Sequence, residues 1–301
     1  MREQFASWTA HQVAPRALSP RELHLRLAAF NARRLRPALP GSDWRQELRA
    51  DLQISELEGD YIESSRLSIA PLLTELPTDV DGFMQWFEGL RETGPGQHDA
   101  LFPWLAEQAT MPQMRWFLTQ EIGGEAGFDD LVALTQVRLP TQAKLELARN
   151  YWDEMGRGRE DGMHGPMLDQ VAQQLDLQAR PETTVWESLA LANLMAAIAA
   201  TRRYAYLSVG ALGVVELTAP GRVALVNEGL RRLGVSAEGR RYFQLHAGLD
   251  VRHSEAWNRE AIRPLVSADP ALMRPIAEGA LLRLRCGAAC FERYRRELGV
   301  D

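Results

Sequence analysis

Within His246-Ala-Gly-Leu-Asp250-Val-Arg-His253, two imidazoles and a carboxylate stand at positions i, i+4 and i+7. At 100° per residue on a helix, Asp250 lies about 40° and His253 about 20° from the direction of His246, so all three project along one stripe. Imidazole with carboxylate is a donor set suited to iron, manganese or zinc. The chain has six histidines, so this stretch uses a third of them. The plain alternative is a polar helical seam in which both rings are satisfied by neighbours. One helix supplies too few donors to close a metal site, and the remainder must come from elsewhere.

Three upstream residues are candidates. Glu154 ends the amphipathic stretch Asn150-Tyr-Trp-Asp-Glu154-Met, and His164 follows ten residues later in Gly162-Met-His164-Gly-Pro166. On an unbroken helix ten residues turn the second side chain about 80° from the first, which is poor for sharing a site. Gly156-Arg-Gly158 removes that restriction, because glycine lets the chain change direction. Glu216 is an isolated acid in the apolar run Val209-Gly-Ala-Leu-Gly-Val-Val-Glu216-Leu. Burying a carboxylate without a counter-charge is costly, so it needs a cation beside it. The residues alone leave two answers open: an ion pair with Arg222 or Arg240, or a metal ion. His11, His24 and His98 lie in polar contexts and read as surface or core-edge residues.

Helical periodicity runs through the chain and no stretch alternates as a strand does, so the fold class is all-α. Ser19 before Pro20 reads as an N-cap. Helices are expected over 20–30, 43–56, 60–74, 79–91 and 98–108, then one long helix over 112–136, one to Met155, and another from about Asp161. A long Ala- and Leu-rich helix is expected from Thr184 to Leu217, stopped by Ala219-Pro220-Gly221, followed by helices over 222–233, 239–258 and 270–297. Pro264 should end or kink the helix that carries His253. Residues 1–95 read as an N-terminal helical region packed on a bundle formed by residues 96–301, with no flexible tether between them. In such a bundle, metal sites are built from inward-facing side chains of several helices.

In residue type and chain order, Glu154, His164, Glu216 and His246-x3-Asp250-x2-His253 resemble the metal ligands of the haem-oxygenase-like diiron oxidases and oxygenases. Here His164 and Glu216 are fifty-two positions apart, and Glu216 and His246 thirty, similar to that family's spacing. The resemblance covers about residues 112–260 directly, and Asn150-Tyr-Trp-Asp-Glu-Met-Gly-Arg-Gly158 is similar to the motif of members known only as iron-containing redox enzymes. It implies a haem-oxygenase-like helical bundle and a nonhaem diiron oxidoreductase, with the six residues as catalytic metal ligands. It implies two Fe(II) ions, or an iron–manganese pair, with Glu216 or Glu154 bridging them. It also implies O2 as co-substrate and a small organic substrate undergoing N-oxygenation, C–H oxidation or oxidative C–C cleavage; an electron donor is compatible with this. Some members add a carboxylate from the preceding helix, which would fall on Glu125, with Glu121 second. Metal-bound imidazoles usually donate their other N–H to a carboxylate or carbonyl; Asp153, Asp161 and Glu255 are near enough in sequence to receive it. Tyr204, Tyr206 and Trp257 read as core aromatics, with a pocket-lining role as the alternative.

Composition bounds the rest. A net charge of −6 argues against nucleic acid as a partner. Cys286 and Cys290 are too few for a disulfide scaffold and read as small buried residues on one helix face. The first residues lack the basic and apolar regions of a secretory signal, and the apolar tract 189–200 is too short to span a bilayer. A cytoplasmic protein, free of membrane and open to homodimerisation, is the expectation. Two other function classes remain: a non-catalytic metal-binding helical protein, and a cofactor-independent enzyme of the same architecture. The latter would not need this many ligands, and Cys286 and Cys290 fall after the ligand helices and do not suit the catalytic cysteine that a thiaminase-type member would need. A true haem oxygenase would need one proximal histidine without the surrounding acids.

Overall fold

The computed structural model describes residues 18–41 and 43–300; His11 lies outside them. Among the described residues there are thirteen α-helices and no strand. They are α1 (Pro20–Arg34), α2 (Trp44–Ile69), α3 (Val80–Thr93), α4 (Leu101–Glu107), α5 (Met111–Gly123), α6 (Phe128–Thr135) and α7 (Thr141–Glu154). Then come α8 (His164–Gln174), α9 (Trp186–Ala200), α10 (Ala205–Arg232), α11 (Arg241–Ala256), α12 (Arg263–Ala268) and α13 (Met273–Leu298). The all-α reading is borne out. Ser19 caps α1 as expected, its hydroxyl accepting from the Glu22 N–H while the Glu22 carboxylate accepts from the Ser19 N–H.

Several element boundaries differ from expectation, each for a local reason. The stretch 112–136 is two helices, parted at Gly124–Gly127, where Gly127 has φ +76° and the Glu125 carboxylate accepts from the Ala126 and Gly127 N–H groups. The expected helix over 184–217 breaks at Thr201. There Arg202 turns away to donate to the carbonyls of Leu134, Thr135 and Val137, satisfying the C-terminal end of α6. Conversely, Ala219-Pro220-Gly221 does not stop a helix, and α10 runs through it. Pro220 removes only the N–H that would bond the Glu216 carbonyl, and the surrounding helices hold α10 in place. Residues 43–69 also form one helix rather than two. After His253, α11 passes into a π-helical turn over Trp257–Ile262, and Pro264 opens α12. Wide turns of this kind favour functional sites.

Helix α10 is the axis of the molecule, packed along α11 and α13 and against α4. It is long and apolar enough to cross a membrane by length and composition alone, but here those neighbours enclose it. Its approach to α13 is backbone to backbone. A Cβ on Gly210 would come 1.9 Å from the Ile276 carbonyl oxygen, and one on Gly279 would come 1.8 Å from that of Leu207. Only glycine at both positions permits this distance. The first half of α10 (Leu207 to Leu217) belongs to one apolar cluster, shared with α2, α3, α7, α9 and α13. Its second half (Val226, Leu230) belongs to another, shared with α4, α5 and the start of α11. Helix α11 crosses the same boundary between Phe243 and Trp257. Polar side chains emerging there are held by two dry blocks, and that seam carries the site.

Candidate metal centre

Helix α7 ends at Glu154 and α8 begins at His164. The loop between them doubles back, with Met155 and Met163 paired antiparallel. Gly156 makes this possible: its φ is +60°, and a Cβ would lie 2.4 Å from the Gly162 carbonyl carbon. The last side chain of one helix and the first of the next therefore face each other, with the His164 Nδ1 2.6 Å from a Glu154 oxygen. The two lack hydrogen-bond geometry, and Nδ1 is a buried atom without a partner. Two electron-pair donors this close, aimed at a common point, are what a shared cation requires.

The remaining donors arrive from α10 and α11. His246 stacks edge-on against His164, with ring centroids 4.5 Å apart, and its Nδ1 lies 2.7 Å from the Tyr242 carbonyl. That carbonyl accepts the Nδ1–H, which leaves Nε2 free as a ligand. His253 places Nε2 3.1 Å from an Asp153 oxygen and Nδ1 3.4 Å from a Glu216 oxygen, and this Nδ1 too is buried without a hydrogen bond. Two sets of three donor atoms result, each with all atoms within 4.8 Å of one another: Glu154, His164 and His246, and Glu154, Glu216 and His253. Glu154 belongs to both.

Asp250 stands outside these two sets but lines the same cavity of about 130 Å3, together with Glu125, Tyr242, His246 and Glu216. Glu125 turns one oxygen toward the Ala126 and Gly127 N–H groups and lines the same cavity. Glu216 has neither of the arginine partners that its sequence context suggested. Arg222 donates to Gln97 and Thr218, and Arg240 to Asn227 and the Val235 carbonyl. The Glu216 carboxylate instead accepts from Asn150 at 2.6 Å and faces His253. Of the three expected supporting acids, Asp153 holds His253, Asp161 is exposed and paired with Arg159, and Glu255 is exposed. Trp257 and Tyr204 are core residues, donating to the Val209 carbonyl and to Glu63; Tyr206 packs against the same core.

The electrostatics are those of a site prepared for cations. Burial, then the neighbouring Glu216 charge, raises Glu154 well above the usual carboxylate range. Burial with Glu216 and Glu154 raises Asp250 to about 9. Burial lowers His164 to about 4, helped by His253, and lowers His246 to about 4, helped by His164, so both rings are neutral near pH 7 and available as ligands. Burial opposes the charge on His253, but Glu216 and then Asp153 outweigh it and hold the ring up to about 9. Raised carboxylates packed around a charged imidazole make a cluster that bound cations would stabilise. Iron fits on both counts: orphaned imidazole nitrogens and a carboxylate common to two donor sets.

Two residues at the site carry no signal in the motif. Asn150 lies one turn before Glu154 on the buried face of α7, and Tyr242 one turn before His246 on α11. The i−4 spacing from a suspected ligand is the only sequence cue that could have found either.

Among solved structures, the fold is similar to two crystal structures of a CADD-like protein of unknown function from Nostoc punctiforme. One, at 16% identity and a TM-score of 0.56, covers 73% of this chain and 98% of that one. The other, at 15% and 0.54, covers 73% and 95%. No curated protein matches the sequence. The family model described as "iron-containing redox enzyme" matches residues 115–288, from α5 to α13, a span that includes every donor named above. With the match extending over more than half of its length, the chain belongs to the iron-containing redox enzyme family, of haem-oxygenase-like fold.

Proposed function

We propose that the protein is a nonhaem diiron oxidase or oxygenase that uses O2 on a small organic substrate. The observation that carries this is the sharing of Glu154 by two donor triplets, each holding a buried imidazole nitrogen, Nδ1 of His164 or of His253, that lacks a hydrogen-bond partner. A carboxylate has two oxygens and can serve two ions at once. The same donor types also accept an iron–manganese pair. When bound, a pair of redox-active ions supplies the electrons that let O2 react with an organic molecule.

The chain's own residues set the conditions for that chemistry. The Tyr242 carbonyl and the Asp153 carboxylate fix the orientation of His246 and His253 and keep one nitrogen of each free for metal. Asn150 holds the Glu216 carboxylate against rotation. Leu168, Val215, Val223 and the Tyr242 ring form the apolar side of the cavity and limit bulk water. Asp250, in the cavity and outside both triplets, gives up its proton once cations neutralise the cluster and can then accept one beside the reacting centre.

The test is O2 uptake. Protein loaded with Fe(II) under argon should consume O2 faster than the same Fe(II) free in buffer, and the Glu216→Ala variant should not. Uptake by the variant equal to that of the wild type would overturn the reading.

A further inference from the structure

The metal cavity does not end at the ligands. Glu125, Leu168, Val215, Ala219, Val223 and Tyr242 line it and also line a second chamber of about 170 Å3. None of the six expected ligands reaches that chamber, which is walled mainly by aromatic and aliphatic side chains, among them Phe102, Phe117, Phe243 and Phe291. Two arginines, Arg222 on α10 and Arg283 on α13, line this apolar space. Such groups are rarely placed in apolar surroundings without a partner.

Neither arginine has an anionic partner. Among the described residues no carboxylate oxygen lies within 4.0 Å of either one. Arg222 donates only to the neutral Gln97 and Thr218, at 3.4 and 3.2 Å, and rests 5.4 Å from the centroid of the Phe291 ring. Burial and the like charge of Arg283 lower it to about 10. Glu121 is the one acid here besides Glu125. It reaches the chamber wall without forming an ion pair, and burial raises it above the usual carboxylate range. Neither Glu121 nor Glu125 comes within ion-pair distance of either guanidinium, so a ligand carboxylate seated between Arg222 and Arg283 would be their first anionic partner.

We infer that this chamber binds a monocarboxylic acid with an apolar body, its carboxylate between Arg222 and Arg283 and its body directed past Leu168, Val215 and Val223 toward the metal ligands. Planar guanidinium forks match a carboxylate, and the apolar walls match the body. The far end of the molecule, not the carboxylate, then meets the metals. Phe102 and Arg222 also line an outer cleft with Gln97 and Thr218. This inference rests on the diiron reading only for which end reacts; the binding itself is independent of it.

Calorimetric titration of the full chain with octanoate, 1-octanol, octylamine and octyl phosphate is the test, on metal-free protein and on protein loaded with Fe(II) under argon. Octanoate should bind tighter than the alcohol or the amine by about tenfold to a hundredfold, the range for hydrogen bonds to a charged group. Arg283→Met should abolish that preference and Arg283→Lys should retain part of it. Alcohol or amine binding as tightly as octanoate in the wild type would overturn the assignment without recourse to a variant, and so would a tenfold preference for octyl phosphate. Iron counted on the same samples separates the two claims. Full iron without an acid preference sinks the substrate class alone; an acid preference without iron sinks the diiron reading and keeps the binding site.

Discussion

Metal loading should expel protons from the carboxylate and imidazole cluster. Asp250 and His253 are both held up to about 9 in the metal-free site, so both carry a proton at pH 7. His164 and His246, at about 4, have no proton to lose there. Replacing the Asp250 and His253 protons by metal therefore releases roughly two protons per chain, and Glu154, also raised, adds to that count. Each displaced proton makes apparent affinity rise about tenfold per pH unit, so two make it about a hundredfold between pH 7 and 8. Stability follows the same signs. Asp250 and His253 have folded values above their unfolded ones, so their contribution is complete at low pH and is lost as pH rises toward 9. With both titrating, the metal-free fold weakens by roughly 2 kcal/mol per pH unit above neutrality, and bound metal removes that dependence. His164 and His246 act oppositely, weakening the fold as pH falls from about 6.5 toward 4. Calorimetric titration with Mn(II) under argon, in two buffers of different ionisation heat, reads the proton count directly. Release of fewer than one proton per chain at pH 7 would refute the reasoning.

Other consequences are local. Asp153→Asn removes the acceptor that fixes His253 and should weaken metal binding about tenfold to a hundredfold, measured by competition with a coloured chelator; unchanged affinity would mean that the 3.1 Å contact has no role in orientation. Gly279→Ala drives a methyl into the Leu207 carbonyl and should cost about 3 kcal/mol or more as α10 and α13 are forced apart, read from urea denaturation; a loss below about 1 kcal/mol would show that the helices separate freely. Asn150→Leu should lower iron affinity while leaving the helical content unchanged by circular dichroism, because it removes the donor that orients Glu216; an unchanged iron affinity would exclude that role.

The legibility of this site in the sequence depended on whether its geometry is local. His246, Asp250 and His253 were readable because a helix fixes their directions, and the Gly156–Gly158 break told that Glu154 and His164 need not obey one helix. Glu216 was visible as an acid among apolar residues. Its partner was not, and the reason is a misplaced helix end. If Ala219-Pro220-Gly221 stopped the helix, Arg222 could fold back on Glu216. In the continuous α10 six residues turn the two side chains about 120° apart, which sends Arg222 to a different chamber. The breaks at Thr201 and Gly124 were hidden because each is made by a tertiary or turn-specific hydrogen bond, the Arg202 reach to α6 and the Glu125 turn. Periodicity alone does not report such bonds. Asn150 and Tyr242 act through an amide and a backbone carbonyl, neither of which marks a ligand shell by residue type.

The central claim is that two ions share this seam through Glu154, and anaerobic titration with Fe(II) followed by metal analysis tests it most directly. The wild-type chain should take up about two equivalents, His246→Ala about one, since His246 serves a single triplet, and Glu154→Ala fewer than one. A wild-type protein that saturates at a single iron, or a Glu154→Ala variant that still retains two, would contradict it.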